Sequence, residues 1–271
     1  MQVSAKYLIE HRKSVRTFEA AALREEDRQK LTAFLAELDN PFQVPVCFRL
    51  LKAREHGLSS PVILGAEEYL AVKAERVPHF ELALGYSFER VCLYACSLGI
   101  GTVMLAGTLN RAAFEAAMEV GDNEVMPMAS PLGYPAAKPS IRESVMRKAI
   151  KADQRKPFER LFFRDRFDRP LDPREAGVYA GPLELVRWAP SAANGQPWRA
   201  VLQGDRVHFY EARSMKDNAL GDIQKVDLGI ALAHFDLGRQ EAGLAGSFVF
   251  EDPGIPAPEK TGYIVSFRQA L

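Results

Sequence analysis

The chain has 271 residues, 47% of them hydrophobic and 26% charged, which is ordinary for a soluble globular protein with a sizeable core. Lys plus Arg and Asp plus Glu both number 35, so no global field favours nucleic acid or an acidic membrane surface, and neither is expected as a partner. Without an apolar run of ~20 residues, a secretory h-region or a disulfide framework from its three cysteines, the chain reads as a reduced cytoplasmic protein.

In chain order, residues 5–17 and 24–38 read as helices. The second carries Leu31, Phe34, Leu35 and Leu38 at three- and four-residue spacing. Cys47–Ala53 and Val62–Gly65 read as buried strands. A long helix is predicted from Phe80 to Leu98, stopped by Gly99 and Gly101. It holds Cys92 and Cys96 four residues apart in an apolar setting, where free cysteines act as small hydrophobes, so no metal site is expected. Val103–Leu105 reads as a short strand, Asn110–Val120 as a helix and Met126–Leu132 as an apolar strand. Ser140 and Glu143 have capping-box spacing and open a charged helix to about Asp153.

After a polar, proline-containing connection near 164–175 the pattern restarts. Helix 173–188, strands 199–203 and 206–211, helix 223–243 and strands near 247–251 and 262–268 follow. The two long helices share a glycine spacing, Gly85 to Gly99 and Gly229 to Gly243, each pair fourteen residues apart. Either a duplication or the common glycine past a helix end accounts for this, and the matched order of elements favours duplication. Strands interleaved with helices in both halves predict a layered α+β or α/β protein.

Three segments carry chemistry. Arg12-Lys13-Ser14-Val15-Arg16 offers three cations and a hydroxyl to a phosphate, or is simply a basic surface helix. Ala189-Pro190-Ser191-Ala192-Ala193-Asn194-Gly195-Gln196-Pro197-Trp198 reads as an irregular loop of small residues between two tryptophans. Trp188 and Trp198 would then flank a surface that a flat ring could approach. Ser130-Pro131-Leu132-Gly133-Tyr134-Pro135 follows an apolar strand, and Gly133 permits close backbone approach or a plain turn.

Together these segments resemble the FMN-dependent nitroreductase family. RKSVRTF resembles its opening Arg-x-Ser-x-Arg motif, APSAANGQPW closely matches its Ala-Pro-Ser-x-x-Asn-x-Gln-Pro-Trp motif, and LGYPAAKP resembles its Gly-Tyr-Pro segment. Arg155-Lys156-Pro157 resembles the basic residue-Pro pair closing the flavin site. The order departs from the family, whose Asn-Gln-Pro-Trp loop follows the Arg-Ser-Arg motif by some tens of residues. Here it stands in the second half, while the equivalent first-half stretch 38–46 keeps only Pro45 before a strand.

Ordinary members are homodimers with flavins at the interface. The resemblance therefore implies an α+β, nitroreductase-like three-layer α/β/α sandwich, duplicated in tandem as an intrachain pseudo-dimer. Its halves would be residues 1–154 and 155–271, intertwined as one unit, monomeric, with one complete FMN site. Arg12, Ser14 and Arg16 would hold the FMN phosphate and ribityl chain, with Lys13 near the pyrimidine side and a backbone N–H of Leu132 or Gly133 facing flavin N5. Pro190, Ser191, Ala192 and Asn194 would line the flavin from the other half. Arg155 would add a further cation, in competition with Lys156, Lys138 and Arg142.

The implied activity is hydride transfer from NADH or NADPH through FMN to a nitroaromatic, quinone or similar small acceptor, with the flavin carrying the chemistry and no catalytic side chain required. The alternatives are an FMN-binding protein without turnover, and a flavin-consuming or dehalogenating relative.

Overall fold

The structure is a computed structural model that describes residues 3–270. It resolves into two compact units, the first His11–Ala152 and the second formed by the segment up to Glu10 with the chain from Asp153 onward.

The first unit is built on a three-stranded antiparallel sheet in the order β1-β2-β3, comprising β1 (Cys47–Lys52), β2 (Glu68–Glu75) and β3 (Glu124–Leu132). Its helices are α2 (Glu25–Ala36), α3 (Ala53–His56), α4 (Phe80–Ser97), α5 (Arg111–Met118) and α6 (Ile141–Ala149). Helix α4 buries Leu82, Leu84, Phe88 and Val91 and ends at the predicted place, with Gly99 at φ +75°. Tyr69 of β2 meets Phe114 of α5 edge-to-face at 5.1 Å, in a core with Met118, Met126 and Leu105.

Several expectations are corrected here. Strand β2 was not anticipated, because Glu-Tyr-Leu-Ala-Val-Lys-Ala-Glu is rich in helix-favouring types and does not alternate. It is the central strand, and seven of its eight residues are buried. Its two buried charges are paired: Glu68 Oε1 accepts from the Leu23 N–H and Arg28 while its Oε2 has no partner, and Lys73 Nζ donates to the Glu119 carbonyl at 2.8 Å and Glu124 Oε2 at 2.6 Å. Conversely, β1 is half-exposed, since it lies at the sheet edge. Val62–Gly65 is no strand; within it only Leu64 bridges, to Thr17, and Gly65 turns at φ +82°. Around Val103–Leu105 the pairing is likewise confined to single bridges.

The first predicted helix stops at His11 as α1 (Ala5–His11), not at residue 17, and α1 groups with the second unit, where the Ala5 N–H donates to Glu241. Beyond it Val15, Arg16 and Phe18 are drawn into extended pairing with Thr102 and Leu64, which satisfies the backbone groups a helix would have used. The segment Arg12–Arg16 is therefore not a basic surface helix. At α6 the Ser140 hydroxyl accepts from the Glu143 N–H as expected, but the Glu143 carboxylate accepts from Thr17 Oγ1, which in turn accepts from the Ser140 N–H. The capping box thus closes through Thr17, and the helix ends at Ala149 instead of Asp153.

In the second unit a five-stranded sheet runs β4-β5-β6-β8-β7, with β4 (Phe162–Arg164) parallel to β5 (Trp198–Gln203) and the other pairs antiparallel. The remaining strands are β6 (Arg206–Ala212), β7 (Gly246–Val249) and β8 (Thr261–Gln269), with helices α7 (Ala180–Trp188) and α8 (Ile223–Glu241). The helix expected over 173–188 is broken into two short 3-10 turns before α7, because Gly177 adopts φ +56°. Helix α7 lies close on α8: a Cβ at Gly238 would meet Leu185 at 2.9 Å, and buried His234 holds the Leu185 carbonyl at 2.9 Å. Apart from α3, the order helix-strand-strand-helix recurs, α2-β1-β2-α4 and α7-β5-β6-α8, with an antiparallel strand pair each time.

Candidate functional site

In the first unit the fold brings the Arg-Ser-Arg and Gly-Tyr-Pro segments together. Ser14 bridges Thr102, the Val15 N–H donates to the Thr102 carbonyl at 2.9 Å, and further along the Glu19 N–H donates to the Tyr134 carbonyl and the Ala136 N–H to that of Thr17. Leu132 is buried at the end of β3, and the Gly133 carbonyl accepts from the Gly101 N–H at 2.8 Å. Glycine at 133 makes room for an internal contact: a Cβ there would stand 3.0 Å from the Phe18 ring, which would have to shift. The close approach is made by Phe18, and that face of Gly133 is closed to a ligand.

The cations of this segment differ sharply. Lys13 is exposed. Arg12 lies with its Nε 3.2 Å from Glu89 Oε1, the two side chains 10% and 2% exposed. Arg16 forms no such ion pair: its Nε and Nη1 are buried without a hydrogen-bond partner, whereas Arg12 Nε, also without one, has the Glu89 charge beside it. Burial pushes its pKa down, Glu143 opposes this and Arg147 reinforces it, yet a guanidinium stays protonated in proteins. A half-buried cation with two buried, unused donors costs free energy unless an anion meets it. Of the other candidates, Arg142 donates to the Pro61 carbonyl at 2.7 Å and Lys138 is exposed.

In the second unit the segment 189–198 is an irregular loop, as expected, and a strained one. Ala193, Asn194 and Gln196 take φ of 50°, 55° and 50°, values that non-glycine residues hold only when their surroundings over-determine them. The surroundings do so here. Ser191 Oγ accepts from the Gln196 N–H at 2.9 Å, and Asn194 Nδ2 donates to the Gln154 carbonyl at 3.0 Å. Lys156 receives Gln196 Oε1 on its N–H and donates Nζ to the Gly195 carbonyl at 2.6 Å. Arg155 donates to the Trp188 carbonyl and stacks 5.4 Å over the Trp188 ring. Arg155 and Lys156 are thus joined to the Pro190–Asn194 loop of the same unit. The expected pair of tryptophan walls is corrected, since Trp198 is fully buried in the core.

Sequence reasoning missed Asp227, which accepts the Ala192 N–H on both carboxylate oxygens at 3.0 and 3.1 Å, and Glu89 beneath Arg12. The available signal was an acid set among apolar residues within a long helix. Burial drives the Asp227 pKa well above the ordinary carboxylate value, the Ala192 N–H opposes this, and Asp222 and Glu211 add to it.

Glu211 is pushed up to about 7 by burial and by Asp222, against Arg213 and Lys225. Because its folded pKa exceeds its unfolded one, the folded state holds the proton longer, and stability falls as pH rises from the ordinary glutamate range toward 7. Glu211→Gln is therefore expected to raise stability at pH 8 by about 1–2 kcal/mol while changing it little at pH 4. Urea unfolding at both pH values checks this; equal shifts at the two would refute it.

Among the described residues there is no helix long and apolar enough to cross a membrane, and no cluster of three acidic, histidine or cysteine side chains suited to a metal. The family described as "Putative TM nitroreductase" matches residues 5–239. A solved structure from Thermotoga maritima, described as a "putative nitroreductase", superposes with a TM-score of 0.64 at 20% identity, covering 99% of this chain and 94% of that one. A Bacteroides fragilis nitroreductase with bound FMN covers 52% of this chain and 92% of its own at 16% identity, TM-score 0.42. A nitroreductase family protein from Clostridium novyi covers 50% and 87% at 19% identity, with the same TM-score. No functionally curated protein matches the chain. The fold is nitroreductase-like and of the α+β class, and the chain belongs to the Putative TM nitroreductase family.

Proposed function

We propose that this chain is an FMN-dependent oxidoreductase of nitroreductase type, taking hydride from NADH or NADPH and delivering it to a nitroaromatic, quinone or similar small acceptor in the cytoplasm. The observation that carries the reading is Arg16, whose buried Nε and Nη1 have no hydrogen-bond partner on a segment held by backbone bonds to Thr102 and Leu64. Such a group fits the phosphate of a mononucleotide. Family membership and the FMN named with the Bacteroides fragilis protein support the same cofactor.

When bound, FMN supplies two-electron hydride chemistry, and the protein supplies position and charge. Arg16 binds the phosphate, Arg12 adds positive potential while held by Glu89, and Ser14 and Lys13 provide further donors. The loop Pro190-Ser191-Ala192-Asn194 lines the flavin, held rigid by Asp227, Gln154 and Lys156. Arg155 and Lys156 serve as braces of that loop, and Leu132 with Gly133 shapes the site through the backbone beside Phe18. On this reading the chain is a tandem duplication, monomeric, with one FMN per chain.

The purified protein is expected to take up about one FMN per chain, and anaerobic NADPH or NADH to bleach its spectrum within seconds. A flavin that stays oxidised would favour an FMN-binding protein without turnover. Failure to take up FMN would overturn both readings.

A further inference from the structure

The second unit holds an open cavity of about 690 Å³ that shares only Lys156, a brace of the 190–194 loop, with the flavin reading. Lys156, Arg160 and Arg199 line it, with Phe163, Pro157 and Pro170 as its apolar walls. Arg199 extends from β5 and donates to the carbonyls of Gln196 at 3.1 Å and Trp198 at 2.6 Å, and Lys156 Nζ reaches those of Gly195 and Gln196. Both cations are thus tethered to the same few carbonyls, side by side at one wall. Neither has a carboxylate partner among the described residues, and Arg160 is exposed and unpaired. Burial lowers the pKa of both Lys156 and Arg199, and Arg199 further lowers that of Lys156. Glu159 also lines the cavity, but it pairs with none of the three.

Two neighbouring, partly buried like charges are unfavourable without a counter-ion. Carbonyl oxygens accept their hydrogen bonds but carry no net charge to neutralise them. Water could screen Arg160, which is exposed, but serves the wall formed by Lys156 and Arg199 less well. The apolar side is equally specific: the Phe163 ring and two prolines offer flat surfaces to a planar body and nothing to a bare inorganic ion.

We propose that this cavity binds a small planar organic acid, its carboxylate on Lys156 and Arg199, its ring against Phe163, Pro157 and Pro170, and Arg160 at the mouth. The site lies wholly within the second unit and does not depend on the flavin assignment.

Ligand-observed fluorine NMR on the full chain, with and without added FMN, tests it using 4-fluorobenzoate and its uncharged analogue 4-fluorobenzamide. The acid is expected to bind about tenfold or more tighter than the amide, as one charge-assisted contact implies. Arg199→Gln removes the charge while keeping an amide donor on β5. It should abolish the preference for the acid, and Arg160→Ala should weaken acid binding severalfold without affecting the amide. Inorganic phosphate should compete only weakly, having no ring. Equal binding of acid and amide, an acid affinity unchanged in both variants, or displacement by phosphate at the same concentration as by benzoate would each overturn the proposal. Should Arg199→Gln fail to fold, Arg160→Ala and the salt dependence of acid binding in the unaltered chain decide the matter.

Discussion

Phe235→Ala is expected to destabilise the second unit by about 3–5 kcal/mol, the cost of emptying a fully buried aromatic site. Phe235 stands in the middle of α8 with no exposed surface, between the helix and the sheet. Its ring meets Phe209 at 5.0 Å and Phe267 at 5.2 Å, and lies 6.4 Å from Tyr179 and 6.3 Å from Phe248. One truncation therefore removes packing from β6, β7 and β8 and from the turn before α7. The neighbours are themselves rings held by other contacts, so they cannot collapse into the space. A loss of this size is a large share of a typical domain's total stability, ~5–15 kcal/mol. Phe235→Leu fills most of the volume and should cost clearly less. Hydrogen exchange of β6 and β8 amides reports the unit directly; a loss below about 1 kcal/mol for the alanine variant would show that the cluster is not the centre of the core.

The second large effect concerns the flavin. Arg16→Ala is expected to weaken FMN binding by roughly one to two powers of ten, since a charge-assisted hydrogen bond contributes about 1.5–3 kcal/mol. Arg16 is the better probe than Arg12. Removing Arg12 takes the guanidinium away from Glu89, 2% exposed, so that variant mixes lost binding with lost stability. Removing Arg16 relieves two unpartnered buried donors and should leave folding intact or improved. Arg16→Lys retains the charge without the forked donors and should fall between alanine and the unaltered chain. FMN fluorescence quenching measures all three affinities. An Arg16→Ala protein that binds FMN as tightly as the unaltered chain would remove Arg16 from the phosphate site.

How far each element was legible depended on how local its cause was. Helices α4 and α8 were readable because long apolar runs end at Gly99 and Gly243, both at positive φ. Strands β3, β5, β6 and β8 were readable from short apolar runs between turn residues. Strand β2 was not, because its Glu, Lys and Ala say helix locally and only its two sheet neighbours say strand. The segment after His11 was misread for the same reason: its partners Leu64, Thr102 and Tyr134 are remote in the chain. The 189–198 loop was legible as a loop, from Pro190, Gly195 and Pro197. Its brace by Asp227 and Gln154 was not, because a buried acid's partner cannot be read from its own neighbours.

The sequence by itself determined the family likeness, the two long glycine-stopped helices and the identities of the cations that offer themselves to a phosphate. Only the tertiary structure decided what each cation does. Arg12 is paired with Glu89, Lys156 and Arg199 are tethered to loop carbonyls at the edge of a cavity with their charges unpaired, and Arg16 is left half-buried with unused donors. The reason is physical: a charge's behaviour is set by the groups within a few ångströms of it and by its access to water. Those neighbours come from distant parts of the chain, so the motif names the candidate residues and the fold selects among them.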